Sequence, residues 1–135
     1  MQLKNLSDGV ELALPDDLLW SDEFAWTPAV MSVSYLITGA LMVHSACRQA
    51  GRPITLTGAV DMAWVARSVI STLYDWAGIA LGEDTGRFEL TLLDERVFTV
   101  AFRHAEAPID AEPVKGFPAR SASDYYRLTL KLMQI

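Results

Sequence analysis

Residues 61–78 read DMAWVARSVISTLYDWAG, and their periodicity is the clearest structural signal in the chain. Its apolar side chains recur at helical spacing and form one continuous stripe, made of Met62, Val65, Ala66, Val69, Leu73, Trp76 and Ala77. Asp61 stands where a helix N-cap is favoured, and Gly78 stands where a C′ residue is favoured. The pattern therefore predicts one amphipathic helix, and the apolar face of that helix must cover a sheet.

A long hairpin is predicted upstream of the helix. Residues 31–38 alternate between apolar and polar side chains, which is the period of a strand. Gly39 indicates a bulge or a bend in a strand that would otherwise be unusually long. Residues 49–53 have turn composition, and residues 54–57 form a short strand that could pair back. The sequence therefore predicts one hairpin over residues 31–57.

More strands are predicted downstream of the helix. Residues 88–93 and 97–102 form a second hairpin around a tight turn, and residues 108–113 are extended. Residues 126–133 alternate cleanly between an apolar and a polar face, which is typical of a strand with one solvated side. Strands on both sides of one helix predict an α+β domain. We expect an antiparallel β-sandwich or sheet with a long hairpin and one flanking amphipathic helix.

Composition limits the class of protein. The 135 residues are 51% hydrophobic and 21% charged, with a formal net charge of −6. This predicts a single domain over residues 1–135, with residues 1–28 as an N-terminal arm. The apolar content excludes intrinsic disorder, and Cys47, the only cysteine, excludes an intrachain disulfide scaffold. The acidic balance argues against a general nucleic-acid binder and against docking on an anionic membrane.

No segment predicts a membrane span or a secretory signal. The most apolar stretch, residues 30–46, is too short and is interrupted by polar side chains. The first eight residues lack the basic and apolar regions of a signal peptide. We therefore expect a protein that is made in a cytoplasm and keeps Cys47 reduced.

A search for catalytic patterns finds almost none. The sequence has no Gly-rich phosphate loop, no Cys-x-x-Cys, no His-Glu-x-x-His and no nucleophile elbow. His44 and His104 are the only histidines, and a metal would need more ligands near them. The odd spacing of His44 and Cys47 turns them to opposite faces of a strand. We predict no enzyme and no catalytic, cofactor-binding or metal-binding residues; the alternative is a hydrolase using Asp22, Glu23 or His104.

Residues 15–28 hold three aromatic side chains in a segment that fits neither the helix nor the strand period. Aromatic residues at that density are core plugs or interface anchors, and the sequence leaves both open. The long hairpin has no charged residue between Met31 and Ala46 to protect its edge, so a partner subunit or a terminal arm would have to cover it. The residues predicted to form a subunit interface are Trp20, Asp22, Glu23, Phe24, Trp26, Arg48 and Arg52.

Several runs of the sequence together resemble small tail proteins of tailed bacteriophages. The runs are YLITGALMV at 35–43, QAGRPITL at 49–56, the helix with Trp64 and Arg67, VFTVAFRH at 97–104 and YRLTL at 126–130. The nearest group is the distal-tail-like and baseplate-hub ring proteins of phages with long, non-contractile tails, whose fold is like that of the tail tube. The resemblance covers most of residues 28–135.

This resemblance implies a structural virion protein without a cofactor. It would be made in the host cytoplasm and would form a closed, hexameric ring at the tail tip, linking the tail tube to the hub or baseplate. Its partners would be further copies of itself, the tube, and the hub and tape-measure proteins. DNA would only pass through the ring as cargo, and an acidic lumen would repel it. The alternative is a small soluble module that binds a peptide or ligand without catalysis, with Trp and Phe side chains lining a groove.

Overall fold

The computed structural model describes residues 1–118 and 121–135. These residues contain eleven strands and one helix. In chain order they are β1 (Gln2–Asn5), β2 (Glu11–Ala13), β3 (Leu19–Trp20), β4 (Ala29–Tyr35), β5 (Leu41–Cys47), β6 (Pro53–Thr57), β7 (Trp64–Ala66), α1 (Arg67–Ala77), β8 (Phe88–Thr91), β9 (Val97–Phe102), β10 (Ile109–Pro113) and β11 (Tyr125–Gln134). The α+β class predicted from the sequence is confirmed.

Nine of the strands form one antiparallel sheet, built around the ten-residue strand β11. The strand order is β2-β1-β8-β9-β11-β6-β3. Two strands pair along each edge of β11. On one edge, β10 pairs with its first half and β9 with its end. On the other edge, β7 pairs with its start and β6 with its second half. The predicted hairpin of β8 and β9 and the predicted final strand are confirmed.

The core lies between the inner face of this sheet and helix α1. Leu128, Leu130 and Leu132 of β11 are fully buried, because alternate side chains of a strand share one face. Leu73 and Trp76 of α1 cover them, together with residues of β1, β6, β8 and β9. Trp20 of β3 meets Phe98 of β9 edge to face at 5.5 Å, although two strands separate β3 from β9 in the sheet order. The sheet is therefore strongly curved around its core.

The helix begins later than predicted, at Arg67. Residues 64–66, which the apolar stripe placed inside the helix, form β7 and pair with Tyr125–Arg127 of β11. The N-cap is Ala66, not Asp61, and it makes no side-chain capping bond. The carbonyls of Asp124 and Ala122 accept from the first helical N–H groups instead. Pairing with β11 satisfies the backbone N–H and C=O groups of β7, so residues 62–66 form a loop and a strand and not the first turns of the helix.

The end of the helix also differs in detail. Gly78 is the C-cap, but its φ of −73° is right-handed, so it does not use the freedom that favours glycine at C′. Its N–H donates to the carbonyl of Tyr74 at 3.1 Å, which closes the last helical turn. The helix therefore ends where the sequence indicates, for a different local reason.

The upstream hairpin is shorter than predicted and stands apart from the large sheet. β4 and β5 form their own two-stranded sheet, with Ala29 opposite Cys47 and Tyr35 opposite Leu41. Gly39, with a φ of +81°, lies in the turn rather than in a bulge. The Leu36 N–H donates to Ala40 across that turn at 2.8 Å. β6 does not pair back onto this hairpin, because burial of its inner side chains requires it to pair with β11 and β3.

The first 28 residues do not form a separate arm. β1 lies inside the large sheet, between β2 and β8, with Leu3 fully buried. β3 pairs with β6 at the other end of the sheet. The sequence pattern missed both strands because each is short and takes its partners from distant parts of the chain.

Candidate assembly surface

The hairpin of β4 and β5 is the most exposed element of the protein. Of the fourteen residues in its two strands, thirteen are exposed and Val30 is half-buried. In the part of the chain that the structure describes, neither strand pairs with the large sheet. Tyr35 is 76% exposed and Met31 is 66% exposed, so these large side chains have little contact with the rest of the chain.

One face of the hairpin is apolar over most of its length. The register places Val33 opposite Val43 and Tyr35 opposite Leu41, and directly opposite residues share a face. Met31 lies on the same face, opposite Ser45. The other face is more polar, with Ser32 opposite His44. The hairpin therefore has a defined apolar face that is exposed to solvent in a single copy.

The open edges of this hairpin carry no charged residues that would block pairing with another chain. Residues 29–47 contain no Asp, Glu, Lys or Arg. Folded proteins ordinarily block exposed strand edges with charged residues, proline or a covering element, because open edges pair with other chains. In folded proteins, large exposed apolar patches are typical of interaction surfaces. The hairpin thus combines an uncharged, open strand pair with an exposed apolar face.

The base of the hairpin is closed by contacts between the two segments that flank it. The Arg48 N–H donates to the carbonyl of Pro28 at 2.7 Å, which continues the ladder beyond β4 and β5. The Arg48 guanidinium lies 5.9 Å from the ring centroid of Trp26, within the range of a cation–π contact. Two residues from the predicted interface set therefore meet at the root of the hairpin.

Trp20 lies in the core. Of the two roles left open for the aromatic residues of 15–28, this one fills the core and does not anchor an interface. It is 8% exposed, and its indole N–H donates to the carbonyl of Pro53 at 3.3 Å. The guanidiniums of Arg52 and Arg96 lie 4.6 Å and 5.5 Å from its ring centroid. Both contacts are within cation–π range, so the two arginines help to hold β3 against the sheet.

Two carboxylates of the predicted interface set bind within the same chain. The Asp22 carboxylate accepts from the N–H of Thr55 at 2.9 Å and from its hydroxyl at 2.8 Å. Glu23 accepts from Arg96 at 2.6 Å through its side chain and from Arg52 at 2.8 Å through its carbonyl. These bonds fasten the loop after β3 to β6 and to the β8–β9 turn. Phe24, in the same loop, is 88% exposed.

Arg96 bridges two carboxylates, at 2.6 Å to Glu23 and 2.6 Å to Asp94. Desolvation acts to raise the pKa of Asp94, but the hydrogen bonds and charge of Arg96 outweigh it and hold that pKa below its usual value. The hydrogen bond to Glu23, followed by the one to Asp94, raises the pKa of Arg96. A surface depression of about 460 Å³ opens here beside Trp20 and Met1. Its charged groups pair with one another, since the terminal ammonium of Met1 binds Asp16.

The two histidines lie on different elements, and the cysteine shares a strand with His44. His104 donates from Nε2 to the carbonyl of Ala77 at 2.6 Å, at the end of α1. His44 and Cys47 lie on opposite faces of the hairpin, as their spacing predicts. Cys47 is exposed. Across residues 1–118 and 121–135, no group of three or more His, Cys, Asp or Glu side chains is arranged to hold a metal ion.

In the same residues, no helix has the length and apolarity needed to cross a membrane. Comparison of the chain with protein-family models, with curated proteins and with solved structures found no match.

Proposed function

We propose that this chain is a non-enzymatic structural protein that assembles with copies of itself into a closed ring. The single observation that carries the proposal is the uncharged hairpin of β4 and β5, whose apolar face is exposed and whose strands pair with no other strand among the described residues. The sequence resemblance gives the ring its setting, at the tip of a phage tail between the tail tube and the hub or baseplate. In that setting the tube, hub and tape-measure proteins are further partners, and DNA passes through.

A ring requires a contact between two different surfaces of neighbouring copies. Such heterologous contacts close into a ring when the rotation between copies permits it. A projecting hairpin suits this geometry, because it reaches beyond the domain that carries it. The net charge of −6 is compatible with a lumen that repels DNA phosphates.

The proposal is tested by placing a charge on each face of the hairpin. Val33→Asp puts a carboxylate on the apolar face, while Ser32→Asp puts the same charge on the opposite face of the same strand. We expect Val33→Asp to weaken self-association at least about tenfold, because an unpaired carboxylate is costly in an apolar interface. Ser32→Asp should change it little.

Sedimentation velocity over a concentration series measures this, and electron microscopy of the associated species shows whether it is a ring. A chain that stays monomeric at the highest concentration, or associates equally well with Asp at position 33, contradicts the proposal. For the phage setting, the decisive observation is this chain in the tail of an intact particle.

A further inference from the structure

We propose that the groove between helix α1 and the open edge of β10 receives the β4–β5 hairpin of a neighbouring copy, which adds to β10 as a further strand. This inference rests on the proposed ring function and names the surface that accepts the hairpin.

The strand proposed to receive the hairpin is β10, an edge strand with free backbone groups. Within the described residues, β10 pairs only with β11. The N–H of Lys131 donates to Pro108 at 2.8 Å and the N–H of Val114 donates to Tyr125 at 3.2 Å, which fixes the alternation along β10. The N–H and C=O groups of Ile109 and Ala111 therefore point away from β11, towards the open edge. An incoming strand would find two donors and two acceptors there.

Two adjoining depressions lie between this edge and α1. One, of about 370 Å³, lies beside Ala111 and Ile70. The other, of about 410 Å³, lies beside Ile109 and Ala77. Tyr74, 74% exposed, lines both of them. Edge strand and helix together form the kind of groove in which extended segments bind by strand addition.

The two depressions follow one another along β10. Ala111 lines one and Ile109 lines the other, and residues two apart on a strand lie about 7 Å apart. Side chains at i and i+2 of an added strand project to one face with the same repeat. On the hairpin, Met31, Val33 and Tyr35 of β4 have this spacing on the apolar face. Two consecutive members of that series would fill the two depressions.

The hairpin of a second copy fits this groove for three reasons. Its seven-residue strands are longer than the five-residue strand β10, so one strand can pair along the whole edge. Its strands carry no charge that would be buried on docking. Among residues 1–118 and 121–135 no strand pairs with its outer edges, so its backbone can supply the complementary N–H and C=O groups.

The positions of the hairpin and of the groove in the fold favour a contact between copies. The hairpin leaves the domain near the end of β11, where Gln134 exchanges backbone hydrogen bonds with Gly51 and Arg52 at 2.8 Å each. The groove lies beside the first half of β11, where β10 pairs with residues Tyr126 to Leu130. The hairpin and the groove therefore lie near opposite ends of the central strand. Head-to-tail docking through such surfaces is the heterologous contact that a ring needs.

The first test removes a backbone donor from the edge. Ala111→Pro deletes an N–H that β11 does not use, whereas Ala111→Ser keeps it. The second test changes the groove wall: Tyr74→Asp places a charge between the two depressions, and Tyr125→Asp places the same charge on an exposed tyrosine outside the groove. We expect Ala111→Pro and Tyr74→Asp each to weaken self-association at least about tenfold in sedimentation velocity, with little change in the two controls.

Hydrogen exchange of the wild-type protein gives an independent readout. On association, the amides of Ile109 and Ala111 should become protected, because they enter new strand hydrogen bonds. This measurement does not depend on the folding of any variant.

The outcomes separate this inference from the proposed function. If Val33→Asp disrupts association while Tyr74→Asp does not, and residues 109–113 gain no protection, the ring proposal stands and the groove assignment is wrong. If the chain does not associate, both are wrong. If residues 109–113 are protected only by an added unrelated peptide, the groove is a peptide-binding site and the hairpin is not its occupant.

Discussion

Trp20 shows how a single residue is committed to the core rather than to a partner. Its ring lies against Phe98, and two guanidiniums lie over it. These neighbours come from β9, from the loop before β6 and from the β8–β9 turn. The aromatic density of residues 15–28 therefore predicts that the tryptophan is buried somewhere, but its partners lie 32 to 78 positions further along the chain. Local pattern alone cannot distinguish a core from an interface here, since both bury aromatic rings.

Trp20→Ala should lower the free energy of unfolding by about 3–5 kcal/mol, because it removes a large buried side chain and leaves a cavity. Phe24→Ala, in the loop that follows, changes a side chain that is 88% exposed and should stay within about 0.5 kcal/mol of the wild type. Urea unfolding of the two variants measures both values. Equal losses would mean that Trp20 does not fill the core as described.

At the scale of elements, period and turn composition identify most of the strands and the second half of the helix. β11 is the clearest success, because its alternation extends over ten residues with every inner side chain buried from Tyr126 to Leu132. The first turns of the predicted helix fail because residues 62–66 are apolar at positions that suit both a helix stripe and a buried strand. Pairing of β7 with β11, about sixty positions away, decides between them. The predicted position of the hairpin turn is wrong for a similar reason, because a glycine such as Gly39 suits a bulge and a tight turn equally well.

Leu73→Ala tests whether α1 is held by the sheet it covers. Leu73 is fully buried beneath the helix, so truncation should cost about 2–5 kcal/mol of stability through lost burial and a residual cavity. Thr72→Ala, at a half-buried position of the same helix, removes a methyl group and a hydroxyl that donates to the carbonyl of Ser68. It should change stability by less than about 0.5 kcal/mol. Thermal and urea unfolding would reveal the contrast, and a mild effect of Leu73→Ala would contradict the packing of α1.

At the scale of the whole molecule, two features act in opposite directions on the proposed assembly. Each copy carries a formal charge of −6, so copies repel one another in solution. The hairpin surface that would join them has no charge in residues 29–47. The absence of charge along the hairpin can be read from the sequence. The apolar face and the groove proposed to accept it cannot, because they depend on the register of β4 with β5 and on the position of β10 beside α1.

Added salt should therefore strengthen self-association or leave it unchanged. Raising NaCl from about 0.01 M to about 1 M shortens the Debye length from about 30 Å to about 3 Å, which screens the repulsion between copies. An apolar contact loses nothing by that screening, and its burial should also give a negative heat-capacity change on association. An interface made of ion pairs behaves in the opposite way, because the same screening weakens its attraction. Sedimentation equilibrium at several salt concentrations measures the dissociation constant directly, and affinity that falls steeply with salt would show that charged residues, rather than the hairpin, hold the copies together.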